Sequence, residues 1–367
     1  MSSPLRPTRF AIDLDAVRHN IRMLSASAGG AELCVVVKAD GYGHGAATVA
    51  RAALDEGAGW LAVATVSEGE ELRAAGLGAP ILLLSEPPPG AARSLIRAGL
   101  TPTVYSTELA DALAADGRQL DVHLKVDTGM GRVGAPMDQW AKLLEHVGGT
   151  GRLQVAGIWT HLARADEPGD PTTDLQLDRF DQALAVAADL GVEPAYVHAA
   201  NSAATLTHPR SRHTMVRVGI AVYGLSPSRD VDARDHDLRP VGSLRTAVSH
   251  VKTIAAGQPV SYGHRWHAPA DGWVATLPVG YADGVPRLLT NNAVVLHGGR
   301  RRPLVGTVTM DQVLVWFDDQ PPANGDEVVL LGRQGSEEVR MEDWAERVGT
   351  ITYEIATGIS SRVSRAS

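Results

Sequence analysis

The sequence predicts an α/β protein in which a (β/α)8 TIM-type barrel is followed by a mostly β C-terminal domain. Over about the first two thirds of the 367 residues, short runs rich in Val, Ile and Leu alternate with longer stretches rich in Ala, Leu, Arg and Glu. Apolar strands that alternate with amphipathic helices are typical of a parallel sheet covered on both faces. After about residue 238, strand-like runs follow one another without long helical stretches between them.

The first part of the chain contains eight predicted strands. A count of eight favours a closed barrel over the competing arrangement, an open and doubly wound sheet. The predicted strands are 34–39, 61–65, 81–85, 101–105, 122–127, 155–161, 196–200 and 215–222. The clearest helices between them are 45–56, 67–75, 90–98, 107–116 and 175–190.

The second part of the chain has the pattern of antiparallel strands joined by turns. Turn signals such as Asn324-Gly325-Asp326 separate the strand-like runs. These runs are 243–254, 273–279, 292–297, 303–308, 313–317 and 327–331. A charged stretch without periodicity, 230–239, is a candidate linker. We therefore expect a barrel domain over residues 1–238 and a β domain over residues 239–367.

Composition excludes several classes of protein. The net charge of −8 argues against nucleic-acid binding, which needs concentrated Lys and Arg. The single cysteine, Cys34, lies in an apolar run and is expected to be a core residue. No secretory signal and no apolar run of about 18 residues is present, so we expect a cytoplasmic protein without membrane contact. No metal site is expected.

The end of the first predicted strand carries an unusual lysine. Because burial lowers the pKa of a lysine, Lys38 after an apolar strand is a candidate nucleophilic amine. Glycines at 41, 43 and 45 follow it, and such a loop can bring backbone N–H groups close to an anion. Taken alone, the same residues also fit a solvent-facing lysine before an ordinary turn.

The segment VVVKADGYGHG, residues 35–45, resembles the cofactor-lysine signature of the alanine racemases. The resemblance recurs along almost the whole chain and implies a barrel that binds pyridoxal 5'-phosphate (PLP), followed by a β domain. It implies that Lys38 forms the covalent link to PLP and that Tyr42 contacts the cofactor.

Three further strand-end residues are similar to family positions. The segment KVDTGMGRVG, residues 125–134, implies that Arg132 lies near the substrate carboxylate. Lys125 matches a position that can be carbamylated in the family and would then position the arginine. His161, at the end of the sixth predicted strand, matches the residue that packs against one face of the PLP ring.

The seventh and eighth predicted strands resemble the part of the family that holds the cofactor phosphate. Asn201 and Ser202 begin a helix of small residues, where a serine is ordinarily just an N-cap. The resemblance implies that the phosphate binds there and at the backbone N–H groups of Gly219 and Ile220. Arg217, in the eighth strand, would face the pyridine nitrogen of PLP. TIM barrels commonly bind phosphate after these two strands.

The β domain is similar to a second set of family residues. Tyr262, in VSYG, matches the second catalytic acid or base. Met310, in the segment VGTVTMDQ, matches the residue whose backbone binds the substrate carboxylate. Asp311 follows it, and Tyr281, in GYADG, matches the channel that leads to the site. Tyr353 matches a phosphate contact.

The resemblance implies an isomerase that interconverts L-alanine and D-alanine by proton transfer at Cα. Lys38 would act on the D-isomer and Tyr262 on the L-isomer. It also implies a homodimer with shared active sites, and a role in supplying D-alanine for cell-wall peptidoglycan. Alternatives are a serine or broad-range amino-acid racemase of the same mechanism and a non-catalytic PLP-binding protein. Fold-related PLP decarboxylases lack the GYADG and MDQ segments found here.

Overall fold

The computed structural model describes residues 6–366, which form two compact units. One unit spans Asp15–Arg239, and the other begins at Pro240 and includes the chain up to Leu14. The first strand, β1 (Arg9–Ile12), belongs to this second unit, because it pairs there with two strands of the C-terminal sheet. The predicted division at residue 238 placed this strand with the barrel.

Eight strands of the first unit form the predicted barrel. Parallel hydrogen-bonded ladders join these strands in two groups, in the orders β10-β2-β3-β4 and β5-β6-β8-β9. Backbone hydrogen bonds close the two remaining gaps, from Leu83 N to Thr101 O (2.9 Å) and from Thr214 N to Val197 O (3.1 Å). The strands are β2 (Glu32–Val36), β3 (Trp60–Val63), β4 (Ile81–Leu83), β5 (Thr103–Val104), β6 (Leu120–Asp127), β8 (Leu153–Trp159), β9 (Tyr196–His198) and β10 (Met215–Val218), while the short β7 (Ala135–Pro136) pairs with the end of β6.

Helices lie between most of the barrel strands, and those at the five predicted positions are among them. They are α1 (Leu14–Ala28), α2 (Lys38–Tyr42), α3 (Ala46–Asp55), α4 (Val66–Ala74), α5 (Ala92–Arg97), α6 (Thr107–Ala114), α7 (Trp140–Gly149), α8 (Thr172–Asp189) and α9 (Ser202–Thr207). None of the helices within residues 6–366 is both long and apolar enough to cross a membrane.

Several predicted segments differ from the structure. The first, sixth and eighth strands end earlier than predicted, so that Lys38 begins α2, His161 follows β8 and Ile220 follows β10. The predicted linker 230–239 is packed against its own unit, since Leu238 is buried and a short helical turn covers Ala233–His236. An absence of hydrophobic periodicity in the sequence therefore does not distinguish a flexible linker from an irregular segment that is packed against the domain.

The C-terminal unit is built on one large, mainly antiparallel sheet. Its order is β12-β15-β18-β17-β16-β19-β11-β1-β21, with β20 paired to β19 and a separate β13-β14 hairpin. The predicted strand 243–254 is two strands, because Val248 N bonds to Asp326 O while Ser249 N bonds to Thr276 O. The elements are β11 (Gly242–Ala247), β12 (His250–Ile254), β13 (Pro259–Val260), β14 (Trp266–His267), β15 (Gly272–Leu277), β16 (Ala293–His297), β17 (Arg300–Val305), β18 (Val313–Phe317), β19 (Glu327–Gln334), β20 (Glu337–Val339), β21 (Ser364–Ala366), α10 (Met341–Val348) and α11 (Thr352–Gly358).

Candidate active site

Lys38 opens a left-handed turn at the carboxyl end of β2. Three non-glycine residues of this turn, Ala39, Asp40 and Tyr42, all have φ near 52°, and Gly41 has φ 61°. Left-handed backbone costs an L-residue roughly 1–2 kcal/mol. Such strain persists only where the surroundings over-determine the conformation, and it clusters at functional sites.

The carboxylate of Glu68, at the start of α4, holds the turn. Its Oε1 accepts a hydrogen bond from Ala39 N (2.7 Å), and its Oε2 accepts from Ala64 N (2.8 Å) and Thr65 N (3.0 Å). The same side chain thus forms a capping box with Thr65 and fixes the residue after Lys38. The sequence analysis missed Glu68, although the Thr-x-x-Glu pattern of a capping box was there to find.

The environment of Lys38 favours the neutral amine. Burial is the main cause that lowers its pKa, and the charge of Arg132 lowers it further, while Glu68 acts in the opposite direction. A lowered pKa leaves more of a lysine as the neutral amine near neutral pH, and only the neutral amine can act as a nucleophile or as a base. The structure therefore gives Lys38 the properties that both of its predicted roles need.

Arg217 lies in β10 with its guanidinium inside the barrel and is 3% exposed. Its Nη1 donates to the backbone O and the Nδ1 of His198, both at 3.0 Å, and its Nη2 donates to Thr160 O (2.8 Å) and His161 Nδ1 (3.2 Å). Among residues 6–366, none accepts a hydrogen bond from its Nε. The Nε–H is thus left to donate to an acceptor from outside the protein, as the pyridine nitrogen of PLP would be.

The two histidines bonded to Arg217 are neutral. Burial, followed by the charge of Arg217, lowers the pKa of His161 and His198 well below the usual value. Because each Nδ1 accepts from the guanidinium, each ring carries its proton on Nε2. His198 can then donate from Nε2 to His123 Nδ1, 2.9 Å away. No member of this network is an acid near neutral pH.

The start of α9 lies next to the loop after β10, where Ser202 bonds to backbone N–H groups. The Ser202 hydroxyl accepts from Gly219 N at 2.8 Å. A Cβ at position 219 would lie 2.5 Å from the Tyr42 hydroxyl oxygen, so glycine is needed to let that hydroxyl approach. The N-cap of α9 is Asn201, whose side chain accepts from Ala204 N, so the ordinary interpretation of Ser202 as the cap is wrong. Ser202 is free of that role and faces the loop of Gly219 and Ile220.

Lys125 lies in β6, almost fully buried, without a hydrogen bond or ion pair to any residue in the described part of the chain. Burial, then the charges of Arg217 and Arg132, lower its pKa to about 7. Its Nζ lies 4.1 Å from the centre of the Trp159 ring. A buried lysine among cations is unfavourable when charged, and a carbamate on its nitrogen would reverse the sign of that charge.

Arg132 is carried by a loop that Asp127 organises. One Asp127 oxygen, Oδ1, accepts from the N–H groups of Gly129 (3.0 Å), Met130 (2.9 Å) and Gly131 (3.1 Å). Gly134 closes the loop, with no room for a Cβ, which would lie 2.9 Å from Asp127 N. Arg132 itself is exposed and makes no hydrogen bond or ion pair with residues 6–366, so its guanidinium is available to an anionic ligand.

Replacing Lys125 with Met should stabilise the cofactor-free protein in CO2-free buffer. The folded pKa of about 7 lies below the unfolded value, so the unfolded chain binds more protons between about pH 7 and 10.4, and stability rises with pH in that window. The methionine removes this destabilisation, and we expect the free energy of unfolding to rise by about 4 kcal/mol at pH 7 and by less than about 1 kcal/mol near pH 10.

Urea unfolding at the two pH values measures this effect. Lys142→Met, at an exposed position of α7, is the matched control and should change the free energy of unfolding little at either pH. A Lys125→Met protein no more stable than the parent at pH 7 would contradict the lowered pKa.

In the C-terminal unit, Tyr262 projects from a tight turn between β13 and β14. Its side chain is 75% exposed, although it is a large aromatic residue. A cavity of about 540 Å³ opens beside it, lined by residues that include Thr309 and Gln312 of the 309–312 segment. Tyr262 therefore borders the segment that carries Met310.

Tyr281, Met310 and Asp311 are brought together by backbone hydrogen bonds between their loops. Tyr281 N donates to Thr309 O at 2.9 Å, and Ala282 N donates to Met310 O at 3.0 Å. Tyr281 and Met310 are 41% and 52% exposed, and Asp311 pairs with Arg362 at 2.7 Å. The last predicted residue of this unit, Tyr353, lies in α11 and is half-buried. Exposed side chains of this size mark a surface that can contact another molecule.

Comparison with known proteins finds one family along the chain. Residues 12–227 match the alanine racemase N-terminal domain, and residues 241–367 match the alanine racemase C-terminal domain. A curated alanine racemase of Symbiobacterium thermophilum is 50% identical over 98% of this chain and 97% of its own length. The crystal structure of alanine racemase from Streptomyces lavendulae has a TM-score of 0.95 and 42% identity, and covers 100% of this chain and 97% of that one.

A racemase for a different amino acid shares the same fold. The histidine racemase of Leuconostoc mesenteroides has a TM-score of 0.89 and 29% identity, covering 99% of this chain and 98% of that one. The backbone of this fold is therefore compatible with more than one amino-acid substrate.

Proposed function

This chain belongs to the alanine racemase family, and we propose that it interconverts L-alanine and D-alanine with Lys38 and Tyr262 as the two proton-transfer groups. Its cofactor is PLP, and it works as a homodimer in the cytoplasm, where it supplies D-alanine for peptidoglycan. Two observations carry the proposal: a desolvated Lys38 begins a strained turn after β2, and Arg217 of β10 is buried with an Nε that no described residue uses.

The barrel residues fit PLP. Lys38 would form the covalent link, and Arg217 would donate from Nε to the pyridine nitrogen. His161, bonded to Arg217, would pack against the ring. Phosphate would be held by the cradle of Tyr42, Asn201, Ser202, Gly219 and Ile220, with Tyr353 as a further contact. When bound, PLP withdraws electrons from the substrate Cα and makes its proton more acidic.

Racemisation needs a proton removed from one face of Cα and another delivered to the opposite face, so two groups are required. Lys38, with its lowered pKa, takes the proton of D-alanine at Nζ, and the Tyr262 hydroxyl gives a proton to the other face. The reverse direction exchanges these roles, so Tyr262 takes the proton of L-alanine.

The substrate carboxylate is held by Arg132 and the backbone N–H of Met310. Arg132 suits this task because its donors are otherwise unused by the described residues and the guanidinium fork matches a carboxylate. A carbamate on Lys125 would lie near Arg132 and orient it. Tyr281 and Asp311 border the approach to the site.

Each site is completed by Tyr262 and Met310 from a second copy of the chain. The exposure of both side chains supports this proposal, since neither is buried within its own unit. Mixing inactive Lys38→Ala and Tyr262→Phe proteins under conditions of subunit exchange should restore about a quarter of the parent activity, because random pairing makes half the dimers mixed and each mixed dimer has one intact site.

Racemase activity in the mixture, followed over the exchange time, is the measurement. A mixture of two Lys38→Ala preparations, made with and without tag, is the control and should remain inactive. Failure of the mixed proteins to regain activity, when mass spectrometry shows that exchange has occurred, would contradict sites shared between subunits.

Serine or a broad range of amino acids remains the second candidate for the substrate. The structural similarity to a histidine racemase supports this second candidate, because that protein has the same fold and its name gives a substrate with a larger side chain. Relative rates on different L-amino acids decide between the two.

A further inference from the structure

The turn that carries Tyr262 is strained at the residue before it. Ser261 has φ 62° and ψ −178°, a region that is essentially restricted to glycine and costs other residues about 1–3 kcal/mol. His264, two residues after Tyr262, also has a positive φ of 46°. This conformation needs compensating contacts, and the segment after β17 provides them.

Thr307 exchanges two hydrogen bonds with the strained turn. The Ser261 hydroxyl donates to Thr307 O at 2.8 Å, and the Thr307 hydroxyl donates to Tyr262 O at 2.7 Å. Thr307 is 5% exposed, so its hydroxyl has little access to water that could replace this bond. The preceding Gly306 allows the approach, because a Cβ there would lie 2.7 Å from that of Ser261.

Asn291 forms hydrogen bonds both to the turn that carries Tyr262 and to the segment after β17. Its Nδ2 donates to Arg265 O at 3.2 Å, and its Oδ1 accepts from Gly306 N at 2.6 Å. Asn291 has a left-handed φ of 55°, a conformation that asparagine tolerates better than most residues. The turn is therefore held both at Ser261–Tyr262 and at Arg265.

The ring of Tyr262 has little contact with its own unit to fix its direction, since it is 75% exposed. The position of its hydroxyl then depends on the backbone that carries it. We propose that Ser261, Thr307 and Asn291, here called the tyrosine clamp, are positioning residues that aim Tyr262 at the substrate Cα. The proposal rests on the proposed function, in which Tyr262 moves a proton.

A misplacement of about 1 Å can cost a catalysed step about 100-fold. Thr307→Val keeps the shape of the side chain but removes the hydroxyl that holds Tyr262 O. We expect kcat for racemisation to fall about 10- to 100-fold with a much smaller change in KM. This loss should come from the steps in which Tyr262 takes part, and it should spare those of Lys38.

Isotope exchange separates the two groups. In D2O, D-alanine loses its Cα proton to Lys38 and either regains deuterium on the same face or is inverted by Tyr262. The ratio of exchange with retention to inversion should rise about 10-fold or more in Thr307→Val, since only inversion needs the aimed tyrosine. A loss of folded enzyme lowers both processes together and leaves the ratio unchanged.

Three variants make the test specific. Thr307→Ser keeps the hydroxyl and should restore a ratio near that of the parent. Thr246→Val removes a buried hydroxyl from β11, in the same unit but outside the turn, and should leave the ratio unchanged. Ser261→Gly relieves the backbone strain and removes one clamp bond, so it should raise the ratio without loss of stability.

Hydrogen exchange of the cofactor-free protein gives an independent readout. Amides of a peptide covering residues 259–266 should exchange faster in Thr307→Val and at the parent rate in Thr246→Val. The clamp is contradicted if Tyr262→Phe raises the isotope ratio while Thr307→Val and Ser261→Gly leave it at the parent value. If Tyr262→Phe itself leaves the ratio unchanged, the proposed role of Tyr262 fails, and the clamp's role in catalysis fails with it.

Discussion

Replacing Tyr262 with Phe is expected to lower kcat for racemisation about 1,000-fold in both directions, because general acid–base catalysis by one positioned group contributes about 100- to 10,000-fold. The values of kcat in the two directions fall together, because each direction follows the same proton-transfer steps in reverse order. Exchange of the D-alanine Cα proton with solvent should survive, because Lys38 carries that step. The loss of a single hydroxyl oxygen thus separates exchange from inversion.

Chiral chromatography and mass spectrometry of alanine incubated in D2O measure inversion and deuterium uptake in one sample. Tyr281→Phe, which removes a second exposed tyrosine hydroxyl in the same unit, is the control and should lose much less activity. Equal loss of exchange from D-alanine and of inversion in Tyr262→Phe would show that Tyr262 is not the group assigned to the L-face.

Replacing Lys38 with Ala is expected to have the larger effect, a fall in activity of about 10,000-fold or more. Lys38 has two tasks, since it forms the covalent link to PLP and moves the proton of D-alanine, and its removal takes both away. The barrel should keep its stability, because the alanine relieves a desolvated amine. PLP should still bind through its phosphate and ring contacts, but more weakly and without a bond to the chain.

Borohydride reduction of the PLP-loaded protein, followed by peptide mass spectrometry, locates the covalent link. The reduced cofactor should be found on the peptide that contains Lys38, and it should be absent from that peptide in Lys38→Ala. Lys142→Ala removes an exposed lysine of α7 and should leave both labelling and activity unchanged. Labelling of Lys125 in place of Lys38 in the parent protein would overturn the assignment.

The sequence predicts the barrel because each of its strands can be recognised from a short run of adjacent residues. Runs such as Cys34–Val37 are apolar without alternation, which distinguishes strands covered on both faces. The ends of those strands then lead to Lys38, Lys125, His161 and Arg217, since a TIM barrel gathers its functional groups at the carboxyl ends of its strands. The roles of these residues in turn came from the family resemblance.

The contacts that position those groups could not be predicted in the same way. The tyrosine clamp joins Ser261, Asn291 and Thr307, which are up to 46 residues apart, by hydrogen bonds of side chains that are ordinary turn formers in sequence. The pairing of β1 with β11 and β21 depends on strands more than 200 residues distant. Neither periodicity nor local propensity carries information about such partners.

The most direct test of the central claim is racemisation by the purified protein with added PLP. L-alanine, L-serine and L-histidine are incubated separately, and the enantiomers are separated on a chiral column. A rise of D-alanine towards an equal mixture, far faster than the rise of D-serine or D-histidine, is the predicted result. A protein that holds PLP on Lys38 and yet racemises none of the three would contradict the proposed function.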